Sequence, residues 1–169
     1  MTIDRVSKHE YYLGIAKEVA RRSTCFRRSI GAIIIRDDQI ISTGYVGAPR
    51  KTKSSFEHGA CLRDKLNIPH GHRYELCRSV HAEQNAIINA ARAGVSLLGG
   101  DMYIYGSTYG KDSPINAFPC FICKKMIINS GLIQVIGSTT DGAMKIFQVS
   151  DWIIDWKKND IVDDKHQYG

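Results

Sequence analysis

Two short segments carry side chains that could do chemistry together: His81-Ala82-Glu83 and Pro119-Cys120-Phe121-Ile122-Cys123. Two cysteines three positions apart fall on one helical turn and can grip a single ion. A histidine added to them gives one nitrogen and two sulfur donors, a set that suits Zn2+ and leaves one tetrahedral position open. Water on that position loses its proton far more readily than in bulk. Glu83 can face the same cavity without binding the ion, and a carboxylate there is a general base before attack and a general acid after it. The pattern therefore predicts metal-assisted hydrolysis, with water activated on the ion and Glu83 moving its proton. Each half alone has a plainer reading. His81 would be a capping or surface histidine, and the cysteines would be core residues or a redox pair whose thiol pKa is lowered at a helix start.

The elements that must position these groups follow from periodicity. Residues 9–22 place Tyr12, Ile15, Ala16 and Val19 at helical spacing. Residues 30–36 and 39–43 read as two strands around a tight Asp37-Asp38 turn. Residues 46–76, rich in Gly, Pro, Lys, His and Ser, read as a long loop region with a short helix. The clearest helix covers 79–93, with Ser79 as its cap and Gly94 as its terminator. A strand at 102–105 leads into a polar loop at 106–117. Pro119 then opens a helix that Gly131 ends, and strands at 132–137 and 143–149 follow. A C-terminal helix at 148–160 carries Trp152 and Trp156 as a packing stripe. Alternation of strands and helices predicts an α/β, three-layer α-β-α fold around a mixed sheet, with residues 1–169 as one domain.

Bulk properties narrow the setting. The 169 residues are 43% hydrophobic and 24% charged, which excludes a disordered or fibrous chain. No apolar run spans a bilayer and none resembles a signal-peptide core, so the expectation is a cytoplasmic protein with no membrane partner. There, five cysteines are more naturally ligands, nucleophiles or buried thiols than disulfides. The net charge of +6 favours anionic partners. No extended basic tract reads as a nucleic-acid module, which disfavours that partner.

The order H-x-E followed downstream by P-C-x-x-C is the known signature of zinc nucleobase deaminases. More of the chain matches. TCFRRSIGAIIIRDDQIISTGYVGAPR, YELCRSVHAEQNAIINAARAGVS and CKKMIINSGLIQVI together resemble the deoxycytidylate deaminase family over most of residues 10–137. The resemblance implies the cytidine-deaminase-like fold, a five-stranded sheet with helices on both faces. It implies deamination of dCMP to dUMP, feeding thymidylate synthesis, with His81, Cys120 and Cys123 on a catalytic zinc and Glu83 as proton shuttle. It also implies a homo-oligomer, commonly a hexamer, activated by dCTP and inhibited by dTTP through the glycine-rich loop at 44–50. Gly44, Tyr45, Gly47 and Arg50 are its candidate effector residues.

Departures from that family mark the substrate site. Val46 stands where the superfamily usually has a sugar-holding asparagine, so Asn85, Asn89 or a backbone group would have to substitute. Arg27 and Arg28 are candidate phosphate donors, because a guanidinium offers a rigid fork. Ser107 and Tyr109 are candidates to border the base. Some relatives carry a second, structural zinc; here Cys25, Cys61, His70, His72 and Cys77 are its candidate ligands, against buried free thiols and solvated histidines. Rival readings are a related zinc deaminase acting on dCTP, a cytosine nucleoside, guanine or an RNA base, a regulator with purely structural zinc, and a Cys-x-x-Cys oxidoreductase.

Overall fold

The computed structural model describes residues 5–69 and 72–159. Helix α1 (Lys8–Ala20) starts at Ser7, whose hydroxyl accepts from the Glu10 amide at 3.2 Å while the Glu10 carboxylate accepts from the Ser7 amide at 2.9 Å. Strands β1 (Arg28–Arg36) and β2 (Gln39–Tyr45) form the expected hairpin. Asp37 and Asp38 both take positive φ, 51° and 60°, the conformation that lets a two-residue turn follow the twist of its strands. Strand β3 (Asp101–Thr108) pairs antiparallel with the other edge of β1. Strand β4 (Gln134–Ser138) lies parallel to β3, and β5 (Met144–Gln148) closes the edge antiparallel. The sheet is thus five-stranded and mixed, in the order β2-β1-β3-β4-β5.

Alternation along the strands separates two cores. Ile33, Ile35, Tyr103 and Ile136 face α1 and pack on Tyr12, Leu13 and Ala16. Ala32, Ile34, Met102, Ile104 and Val135 face the other way. They meet Ala82, Ala86 and Ala90 of α3 (Ala82–Ala93) and Cys123 and Ile127 of α4 (Phe121–Ser130). Helix α5 (Val149–Lys158) adds Val149 and Trp152 to this second core. Helices therefore cover both faces, giving the three-layer α-β-α arrangement. Each face admits its helix at a glycine. A Cβ on Gly31 would lie 2.3 Å from the Ala16 carbonyl oxygen, and one on Gly44 would lie 2.3 Å from the Ala86 nitrogen.

Several boundaries differ from the sequence expectations for physical reasons. Helix α3 begins three residues late, because residues before it pair rather than coil: Val80 and Gly47 exchange backbone hydrogen bonds of 2.8 and 3.2 Å. Ser79 therefore does not cap α3; His81 holds that position. Strand β2 runs on to Tyr45, which puts Gly44 and Tyr45 in the sheet instead of a loop. Strand β3 reaches Thr108 because its end pairs with Arg28, so residues 106–108 belong to the sheet and not to the polar loop. The 46–76 region holds a short helix α2 (Leu62–Lys65) and a 3-10 turn at Tyr74–Leu76.

Candidate metal centre

The chemistry-bearing residues occupy two helix starts on the α3/α4 face. His81 is the N-cap of α3 and Cys120 the N-cap of α4; Cys123 lies one turn into α4. The Gln84 side chain accepts from the His81 amide at 3.1 Å, which fixes the backbone of the entering turn. His81 Nδ1 lies 3.4 Å from the Sγ atoms of both Cys120 and Cys123. The three ligand atoms all fall within 4.8 Å of one another. Donors arranged tetrahedrally around zinc at ordinary bond lengths lie about 3.5 Å apart, so the spacing and the donor set both fit that ion. Two helix amino termini direct positive potential at the same spot.

The three donors share their protons unequally. Cys120 is pulled down to about 4, chiefly by the hydrogen bond from Cys123 and then by His81, against the effect of burial. The Cys123 thiol, beside the Cys120 thiolate, in a buried setting and near Glu83, is pushed well above its ordinary value. Burial alone would lower His81, but its hydrogen bond to Cys120 and the nearby Glu83 and Cys120 charges outweigh that and raise it. A bound dication favours the deprotonated form of every donor. Glu83 is only 5% exposed, and burial raises its pKa. A carboxyl whose protonated form is favoured in this way is suited both to take and to give a proton.

Residues 6–139 match the family model of the cytidine and deoxycytidylate deaminase zinc-binding region. The chain belongs to this family. It is 32% identical over 132 residues to the deoxycytidylate deaminase of Mycobacterium phage D29, covering 75% of this chain and 91% of that one. The Schizosaccharomyces pombe deoxycytidylate deaminase is 31% identical over 136 residues, covering 80% of this chain but only 38% of the yeast protein. The chain thus spans well under half the length of that relative. The crystal structure of dCMP deaminase from the cyanophage S-TIM5, in its apo form, superposes with a TM-score of 0.54 at 25% identity, over 75% of this chain and 79% of that one.

The deaminase scaffold does not gather all the other predicted residues at this centre. Arg27 turns to Asp64, with Nε 3.1 Å from Oδ1. Arg28 opens β1 opposite Thr108. Tyr109 meets Phe26 edge-on and packs at a tilt on Phe56, at centroid distances of 5.7 and 5.2 Å. Ser107 pairs with Ser29 across the strands and shares the alternation of Tyr103 and Tyr105, which puts it on the α1 face, away from the metal donors. Val46 is buried and tied by its backbone to Ile30 and Thr24. The Asn85 amide donates to the Tyr45 carbonyl at 2.8 Å. Arg50 donates to Asn89, which in turn donates to the Thr43 carbonyl, so the 44–50 segment is latched onto α3. Gly47 forms the bridge to Val80 and Gly44 seats α3.

All five cysteines are free thiols. Among the described residues, His81, Cys120 and Cys123 are the one group of three or more His, Cys, Asp or Glu side chains close enough to share an ion. Cys25, Cys61, His72 and Cys77 do not assemble into another, and His70 lies outside the described residues. No described helix is long and apolar enough to cross a membrane. Two residues at the centre escaped the sequence reading. Gln84 sits three positions after the N-cap, a spacing from which its capping role was legible. Tyr74, whose ring meets that of His81 edge-on at 6.2 Å, carries no comparable sequence signal.

Proposed function

We propose that the protein is a zinc-dependent deaminase that converts dCMP and water into dUMP and ammonia. The observation that carries this reading is the buried carboxyl of Glu83 in the same helical turn as His81, whose Nδ1 meets Cys120 and Cys123 at 3.4 Å. The phage relative, matched over nearly its whole length, bears the name deoxycytidylate deaminase. His81, Cys120 and Cys123 would hold the ion. When bound, zinc supplies Lewis-acid activation of water at neutral pH.

The chain's own part is proton traffic. Glu83 takes a proton from the attacking water and delivers it to N3 of the pyrimidine, which relieves the charge building on the ring as the C4–O bond forms. It then takes the second water proton and passes it to the exocyclic amine, so the C4–N bond breaks with ammonia as the leaving group. A site closed to bulk water strengthens each of these transfers. The five free thiols suit a cytoplasmic location. The reading extends to a homo-oligomer, a hexamer by family resemblance, with dCTP as activator and dTTP as inhibitor.

The test is ammonia release from dCMP, CMP, deoxycytidine, dCTP and guanine, each with and without dCTP or dTTP as effector. The dCMP reaction should dominate. Glu83→Gln should retain stoichiometric zinc while turnover falls by about 10²–10⁴-fold or more. An active Glu83→Gln enzyme overturns the shuttle. Turnover of another substrate in place of dCMP replaces the substrate and leaves the hydrolytic chemistry standing.

A further inference from the structure

We propose that Arg63 and Tyr74 form a positioning pair that sets the plane of the His81 imidazole; the inference rests on the metal-centre reading above. Arg63 is an unusual buried residue for the short helix α2. It is 3% exposed, and among the described residues it has no salt-bridge partner. Its terminal nitrogen donates to the backbone carbonyls of Pro69 at 2.9 Å and His72 at 2.8 Å, while its buried Nε finds no acceptor. A cation buried this way is costly unless its surroundings compensate for the lost water. The compensation comes from those carbonyls and from an aromatic face: the guanidinium carbon lies 4.3 Å from the centroid of the Tyr74 ring.

The ring so held is the one that reaches the metal centre. Tyr74 stands nearly perpendicular to His81, at 84° and 6.2 Å between centroids, within the range of favourable edge-to-face contact. The backbone of His81 is already fixed by the Val80–Gly47 bridge and by Gln84. What remains free is rotation of the imidazole about its side-chain bonds. Only one orientation brings Nδ1 to both sulfurs, and a ring packed against the imidazole limits that rotation. Arg63 is too buried to take a substrate phosphate, so its effect reaches the chemistry through Tyr74. Because α2 carries Arg63 and the 3-10 turn carries Tyr74, these two elements then serve as a brace for a ligand.

The experiment uses the zinc-loaded full chain. It measures zinc affinity by competition with a chromogenic chelator, and the visible absorption bands of the cobalt-substituted protein as a report on ligand geometry. Groups that orient a ligand imidazole are worth about 10–100-fold in metal affinity. Tyr74→Leu and Arg63→Met should each weaken zinc binding by about ten-fold or more on that scale, with altered cobalt bands. The double variant should be no weaker than the weaker single variant, because both act through one contact. Tyr74→Phe, which keeps the ring, should recover most of the loss. A Tyr74→Leu protein with parental zinc affinity and cobalt spectrum overturns the proposal, as does full additivity in the double variant. If Arg63→Met fails to fold, the half-buried Tyr74 alone decides. A parent chain that binds no zinc overturns the metal-centre reading itself, a distinct result.

Discussion

Helices α1 and α3 lie on opposite faces of one sheet and are admitted in the same way, each over a glycine that lets backbone meet backbone. Their first turns differ. Helix α1 opens with Ser7 and Glu10, a reciprocal cap that satisfies two otherwise free amides. Helix α3 opens with His81 and α4 with Cys120, and neither side chain belongs to the residue types that cap well. The α1 start is built for stability. At α3 the Gln84 side chain closes the turn on the His81 amide, yet there and at α4 the positive helix end is directed at a cluster of sulfur, nitrogen and carboxyl groups. A departure from a good local rule, repeated at two helix starts that converge, locates the site more sharply than either motif does alone.

The largest effect follows from reversing that departure. His81→Asn replaces a candidate metal donor with one of the best N-cap residues. Zinc binding and ammonia release should fall to background. The zinc-stripped variant, however, should be more stable than the zinc-stripped parent, by about 1 kcal/mol from the cap, or roughly 2–4 °C in thermal midpoint for a chain of this size. A metal-free variant that melts below its metal-free parent would mean that His81 is a structural residue first and would break the contrast.

The two glycine seats offer a second comparison. Gly31→Ala and Gly44→Ala place a methyl group against backbone on the α1 and α3 faces respectively. Each should cost at least about 1–3 kcal/mol, because the helix and not a side chain must move. Chemical denaturation measures that cost. Ammonia release and zinc affinity per folded molecule separate the two: only Gly44→Ala shifts the helix that carries His81 and Glu83. Equal losses of zinc affinity in both variants would show that the faces are mechanically coupled.

The same contrast explains what could be read from the sequence. The candidate-site residues that the structure brings together were legible because they come as local pairs, a histidine and glutamate two apart and two cysteines three apart, at the heads of helices with clear periodicity. The hairpin was legible from its β-branched runs around Asp37-Asp38. Failures came wherever a partner distant in sequence decided the outcome. Ser79 looked like a cap, but Val80 pairs with Gly47, far earlier in the chain, and holds the chain extended. Ser107 and Tyr109 sit close to the second motif in sequence, yet strand alternation sends Ser107 to the far face and an aromatic cluster takes Tyr109. Arg63 carried no signal in the sequence, because the carbonyls and ring that receive it come from segments whose geometry no periodicity reveals.

The smallest effect tests the stabilising member of the comparison. Ser7→Ala removes the hydroxyl that accepts from the Glu10 amide and should cost about 1 kcal/mol of stability, with turnover and zinc content unchanged. The partner half of the cap adds a pH signature. Its hydrogen bonds with the Ser7 hydroxyl and backbone hold the Glu10 carboxyl below its ordinary value. A folded-state pKa below the unfolded one means that the contribution is complete above the unfolded carboxyl range and disappears as pH falls through the lowered value. Glu10→Gln keeps an oxygen acceptor for the Ser7 amide but has no proton to gain, so the acid limb of its stability curve should be shallower than the parent's by that one group. Glu10 is solvent-exposed, so added salt should shrink the difference. A parent and variant with identical acid limbs would mean that the ionised carboxylate adds nothing to the α1 cap, and the distinction between a cap built for stability and two helix starts built for chemistry would then rest on Ser7 alone.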